Sequence, residues 1–154
     1  MNLKVSQIRD ISHGENFCAI EPVNLYECTF GNQVFVGPFV EIQNNVSIGD
    51  FCRIQSHSFI CALTRIGSHC FIGHGVVFIN DLFEHGAPNS DPNQWRGAHV
   101  GDYVSIGSNA TILPVRICDH VVIGAGSVVT KDIVDSGIYA GNPARKIRDL
   151  DSRI

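Results

Sequence analysis

The chain has 154 residues, 44% of them hydrophobic and 17% charged, with a formal net charge of −4. That length suits one domain with its own core, and the composition excludes a disordered chain. With 11 basic against 15 acidic residues there is no broad basic face, so nucleic acid is not expected as a main partner and any bound anion must be met by a local cluster.

The first ten residues, MNLKVSQIRD, lack the continuous apolar run of a signal peptide. No segment reaches the roughly 18 apolar residues of a membrane span, so the cytoplasm is the expected location and a membrane is not an expected partner. Residues 1–29 keep no clear period and read as an irregular lead-in that caps the first coil.

From Phe30 a period of six takes over: Phe30, Val36, Ile42, Ile48, Ile54, Ile60, Ile66, Ile72 and Phe78 succeed one another without a gap. Glycine comes directly after at positions 31, 37, 49, 67 and 73, and the residue four places on is small or β-branched, as at Val34, Val46, Cys52, Thr64, Cys70 and Val76. Such a period cannot occupy one face of a 3.6-residue helix, whereas β-branched residues and glycine-marked bends suit short strands joined by turns. Residues 30–83 are therefore the first coils of a solenoid, an all-β architecture in which each rung is stable through its neighbours. With three hexapeptides per turn, residues 18 apart stack, so Cys52 lies beside Cys70 and Ile48 beside Ile66. The six cysteines (Cys18, Cys28, Cys52, Cys61, Cys70 and Cys118) form no C-x-x-C pair and read as reduced core residues.

The phase breaks at EHGAPNSDPNQWRGAH, residues 84–99, a loop long enough to be functional in its own right. It returns at Val100, Ile106 and Ile112, slips by one residue to Ile117, and continues through Ile123 and Val129, so that residues 100–134 are the last coils. Residues 135–154 form a C-terminal segment ending, over 145–154, in a short helix or tail. The whole is a single domain.

Two features of this scaffold can carry chemistry. Asn80 and Asp81 stand where the hexapeptide gives way to the loop, and a carboxylate beside an amide carbonyl can accept hydrogen bonds from an amine; ordinary turn chemistry is the alternative. His57 and His74 occupy outward turn positions, where an imidazole can accept a proton near neutral pH or simply face solvent or a neighbouring subunit.

The pattern [Ile/Val]-Gly-x-x-[small]-x resembles the hexapeptide-repeat acyltransferases, which implies a left-handed parallel β-helix working as a homotrimer with sites between subunits. The stretches VGPFVEIQNNVSIGD (36–50), IQSHSFIC (54–61), FIGHGVVFIND (71–81), SIGSNATILPVRI (105–117) and IYAGNPARKI (138–147) are similar to N-acetyltransferases of nucleotide-linked amino sugars, those acting on dTDP-3-amino-3,6-dideoxyhexoses above all. The resemblance implies transfer of acetyl from acetyl-CoA to the sugar amine, in the biosynthesis of a surface polysaccharide such as an O-antigen. It makes His57, Asn80 and Asp81 the catalytic candidates and Glu41, Gln55, His74 and Trp95 candidates for sugar or nucleotide contact. CoA would follow the last coils along Ser105, Gly107, Ala110, Gly124 and Ala125, small residues that leave backbone groups accessible. Lys131, Arg145 and Lys146 would meet its phosphates, and Asn142 and Pro143 would bend the chain back over the coil. No metal is expected. In γ-class carbonic anhydrases a similar coil holds zinc, but the third histidine expected after His69 and His74 is here Ile79, which cannot ligate. The alternatives are an O-acetyltransferase acting on a sugar or serine hydroxyl and a non-catalytic structural hexapeptide protein.

Overall fold

The computed structural model describes residues 8–151; residues 1–7 of the lead-in and 152–154 of the tail lie outside the described residues. Nearly every strand is two residues long, and all but the last stack in parallel to form three sheets of seven, six and eight strands. The first face runs through Asn24–Tyr26, Glu41–Ile42, Phe59–Ile60, Val77–Phe78, Thr111–Ile112 and Val128–Val129. The second holds Thr29–Phe30, Ser47–Ile48, Arg65–Ile66, His99–Val100 and Arg116–Ile117, and the third holds Phe35–Val36, Arg53–Ile54, Phe71–Ile72, Ser105–Ile106 and Val121–Ile123. This is the organisation of a left-handed parallel β-helix.

From Thr29–Phe30 onward, the second residue of each two-residue strand points in. Ile42, Ile54, Ile60, Ile72, Phe78, Ile106 and Ile112 are fully buried, and Val34, Cys52, Cys70 and Val104 fill the corners between faces. The register bears out the 18-residue stacking, with Ile48 opposite Ile66. Four cysteines are buried as expected, whereas Cys18 is exposed and Cys118 half-buried, because Cys18 is the outward residue of its strand.

At most corners the chain turns through a left-handed residue, and most of these are not glycine: Gln33, Phe51, His69, Tyr103 and His120 on the edge between the second and third faces all have positive φ. A side chain there costs roughly 1–2 kcal/mol. Stacking offsets part of that cost, for Phe51, His69, Tyr103 and His120 form one continuous pile of rings with centroids 4.7–4.9 Å apart. A parallel ladder of polar side chains runs beside it, in which Asp50 accepts from the Asn32 amide, Ser68 from Asp50, Asp102 from Ser68 and Asp119 from Asp102.

Two end segments differ from expectation. Residues 8–29 are a full turn of coil, with Ile8 opposite Leu25, Ser12 opposite Thr29 and Cys18 opposite Phe35. This turn is 17 residues long, since Leu25 and Phe30 are five apart, and the shortened spacing hides it from a six-residue period. At the other end Arg145–Arg148 is a strand, paired antiparallel with Gly137–Ala140, in place of a short helix. The slip before Ile117 is real: Val100 pairs with Ile117, 17 positions on, after a tight turn in which the Val115 amide reaches the Leu113 carbonyl at 2.7 Å.

Candidate active site

The loop leaves the coil between the first and second faces. Strand Val77–Phe78 ends, the chain departs through Asn80 and Asp81, and it re-enters at Ala98, which is fully buried, with strand His99–Val100. Gly97 is required at re-entry because a Cβ there would run into the backbone of Leu63 and Thr64. The Arg96 amide donates to the Asn80 carbonyl at 3.1 Å and pins the two ends together.

Within the loop, side chains replace the missing sheet. One Asp81 oxygen accepts from the Phe83 amide at 2.9 Å and the other from the Asn89 amide at 2.6 Å. Asp91 caps the short 3-10 turn Pro92–Gln94 by accepting from the Asn93 amide, and that bond holds its carboxyl below the usual carboxylate range. The Trp95 indole Nε1–H donates to the Asn89 carbonyl at 3.0 Å.

These bonds shape a cleft of about 460 Å³ lined by Asn80, Asp81, Glu84, His85, Arg96 and Pro114 among others. Asn80 and Asp81 thus stand together on one wall. Trp95 is not on that wall; its indole ties the loop together from within. Sequence reasoning missed Glu84, His85 and Arg96, which carry no periodic signal and reach the cleft only through the loop's own folding.

His57 lies on another edge, between the third and first faces. It is exposed, has a φ of +64° and stacks on Phe39 with centroids 4.8 Å apart, which fixes the plane of the imidazole. The strand Phe59–Ile60 separates that edge from the loop exit, about 15 Å of extended chain. Within one protomer, therefore, His57 does not line the cleft.

The same edge carries other predicted residues in line. His74 is exposed one turn on, with its carbonyl accepting from Asn109, and Ser108 in turn accepts from Gly126. Gly107 and Gly124 follow in the column begun by Gly37 and Gly73, each tight against the next coil. Ala125 is exposed beside them, and Gly141, just before Asn142 and Pro143, donates to Ser127 Oγ at 3.1 Å, so the closing bend crosses this edge. Ser105 is half-buried on the adjoining third face, where Gln55 is half-buried at the corner below.

Two expectations need correction, those on Ala110 and on the basic cluster. Ala110 is fully buried and its backbone is used by Gly107 and Val77, so it offers nothing to a ligand. Glu41 is half-buried on the first face and accepts from Gln43 at 3.2 Å. The expected cluster of Lys131, Arg145 and Lys146 is divided: Lys131 comes after the last strand of the first face, Arg145 and Lys146 sit on the third, and Lys146 is paired with Asp149 at 2.7 Å. His69 and His74 stand on different edges, so one chain does not bring them together. Burial pushes the Cys28 and Cys61 thiols up to about 11, which leaves them as packing groups and not nucleophiles.

Residues 27–62 match the bacterial transferase hexapeptide (six repeats), and residues 97–131 match the hexapeptide repeat of succinyl-transferase. Together these two stretches make up 71 of the 154 residues. Among curated proteins, this chain is 51% identical over 55 residues to galactoside O-acetyltransferase of Escherichia coli K12, which is 35% of the chain and 27% of that protein. It is 40% identical over 78 residues to the bifunctional protein GlmU of Pediococcus pentosaceus, 49% of the chain and 15% of that protein. Such matches span about a third or less of the relatives' own length. Among solved structures it is similar to a variant of AntD, an N-acyltransferase from Bacillus cereus in complex with dTDP and coenzyme A, with a TM-score of 0.78, 25% identity, and coverage of 91% of this chain and 84% of that one. It is also similar to a variant of GDP-perosamine N-acetyltransferase from Caulobacter crescentus in complex with CoA and GDP-perosamine, with a TM-score of 0.64, 26% identity, and coverage of 87% and 54%.

Proposed function

We propose that this chain is an acetyl-CoA-dependent N-acetyltransferase that acetylates the amino group of a nucleotide-linked amino sugar, with a dTDP-3-amino-3,6-dideoxyhexose the favoured acceptor. The observation that carries this reading is the edge shared by His57, His74, Gly107, Gly124 and Ala125: a polar turn continued, along one line, by small residues beside which a slender thioester can lie. The likeness to AntD, whose complex contains dTDP and coenzyme A, supports the choice of both substrates.

The amine attacks the thioester carbonyl, the tetrahedral oxyanion collapses, and the CoA thiol leaves as the amide forms. His57, its ring held by Phe39, takes the proton that the attacking nitrogen loses. Asn80 Oδ1 and the unused lone pairs of Asp81 accept hydrogen bonds from the amine and set its angle of approach. Holding amine and thioester in that geometry accounts for roughly 7–11 kcal/mol of barrier. Because His57 and the Asn80–Asp81 cleft lie on different edges of one protomer, a shared site requires a second copy, and a homotrimer with sites between subunits meets that requirement. In this arrangement Arg145, on the third face and without an ion pair among the described residues, remains a group for the CoA phosphates.

A second reading, O-acetylation of a sugar hydroxyl, is favoured by the 51% identity with galactoside O-acetyltransferase. Thiol release from acetyl-CoA decides between them, with dTDP-3-amino-3,6-dideoxygalactose, its glucose epimer, the 4-amino analogues, a UDP-linked amino sugar and a galactoside as acceptors. Release with a dTDP-3-amino sugar alone is the expected result; release with the galactoside alone establishes the second reading, and no release with any of them refutes the first.

A further inference from the structure

On the second face three side chains point outward in register: Arg65 is opposite His99, and His99 is opposite Arg116. All three are exposed, and Arg65 Nη1 donates to Ser47 Oγ at 3.4 Å. Asp132 accepts from the Arg116 backbone amide at 2.8 Å and not from its guanidinium. Among the described residues the ion pairs are Lys146–Asp149 and Arg148–Asp151, so neither arginine of the column is neutralised by a carboxylate. In a chain with four more acidic than basic residues, two unpaired guanidinium groups held two rungs apart, about 10 Å along the coil, are an unusual concentration of positive charge.

The His99–Arg116 end of the column borders a shallow, open depression that Arg65 does not line. This depression, of about 400 Å³, runs from His99 and Arg116 to Ile117, Cys118, Ile133 and Val134. Val134 is 78% exposed, an apolar surface immediately beyond the charged one. Burial, then the charges of Arg116 and Arg65, depress the His99 pKa, so the imidazole is neutral at pH 7 and can donate one N–H between the two guanidinium forks.

We propose that the Arg65–His99–Arg116 column is a binding site for a diphosphate group, with the apolar wall at Ile133 and Val134 taking the organic part of the ligand. A single carboxylate would be satisfied by one guanidinium fork. Donors strung along three successive rungs match a ligand whose anionic oxygens are themselves strung along a chain, and forks of this kind engage phosphoryl oxygens two at a time. The existence of the site stands on this geometry alone; the identity of the ligand rests on the acyltransferase reading, in which both substrates, the nucleotide-linked sugar and CoA, carry a diphosphate.

Calorimetric titration of inorganic pyrophosphate into the purified protein at low salt tests the site, with Arg65→Gln, Arg116→Gln and, as a control on the third face, Arg53→Gln. Circular dichroism confirms that each variant keeps the coil. The expected result is a rise in pyrophosphate Kd of about tenfold or more in Arg65→Gln and Arg116→Gln, the loss of one charge-assisted pair, with Arg53→Gln unchanged. Absence of pyrophosphate binding, or equal affinity in all four proteins, overturns the proposal. Parallel titrations separate the sources: weakening of dTDP alone assigns the column to the nucleotide sugar, and weakening of CoA alone assigns it to the coenzyme. Pyrophosphate sensitivity with neither dTDP nor CoA affected overturns the assignment to a substrate. If pyrophosphate binding is lost in the variants while no acceptor supports thiol release, the site stands and the acyltransferase reading falls.

Discussion

The coil and the loop are held together by opposite means. In the coil, Ile54, Ile60 and Ile72 are buried by residues 18 positions away, and the outward positions on the edge between the third and first faces are left almost free of structural duty. In the loop there is little to bury, and Asp81, Asn89, Asp91 and Trp95 spend their polar atoms on its own backbone. A polar residue such as His57, on the edge between the third and first faces, is therefore available for chemistry in a way that Asp91 in the loop is not.

The most direct way to sharpen that contrast is to damage the coil where it is tightest. Ile60→Ala, at a site with no solvent exposure, should cost about 2–5 kcal/mol in chemical denaturation and lower the stability of the whole chain, because neighbouring rungs depend on one another. His57→Asn probes the opposite case. Asparagine tolerates the positive φ there, so stability should hold while turnover with the accepted sugar falls at least about a hundredfold, the usual contribution of a general base. Unchanged turnover in that variant would remove His57 from the mechanism.

Asp81→Ala blurs the two regions and so tests the distinction most sharply. With both loop bonds gone, turnover should drop by roughly a hundredfold through misplacement of the acceptor, yet the thermal midpoint of the coil should barely move. Trp95→Phe keeps the ring and removes one indole bond, a loss of about 1 kcal/mol that faster amide exchange at Asn89 and its neighbours would reveal. The smallest effect is electrostatic. With its folded pKa depressed, His99 contributes stability that is complete above the ordinary histidine pKa and is lost as pH falls through the folded value. Arg116→Gln should raise the His99 midpoint in a histidine NMR titration and shrink that loss.

Most of the coil was legible because burial at a fixed interval leaves a mark that composition cannot mimic: Phe30 to Phe78, and Val100 to Val129 with its slip, fell where the period put them. The first turn was not legible, since five residues separate Leu25 from Phe30 and its strand Ser12–His13 carries no buried aliphatic. Asn80 and Asp81 could be read from the break in phase, but the role of Trp95 depended on a bond to Asn89 that no spacing announces. Arg65, His99 and Arg116 were overlooked because they are 34 and 17 positions apart. They line up only once the loop is set aside and the residue before each inward aliphatic is read down the face.

The corner between the first and second faces admits both an excursion of some twenty residues and, one turn later, a step shortened by one, while the buried columns on either side stay in register. The corner between the second and third faces has no such tolerance, because each polar side chain there must meet the amide of the adjacent coil. Changes in chain length are thus confined to a single seam. A loop of different length or sequence between Asp81 and Trp95 would alter what the cleft admits while leaving the re-entry at Gly97 and Ala98 and the rungs on either side in place.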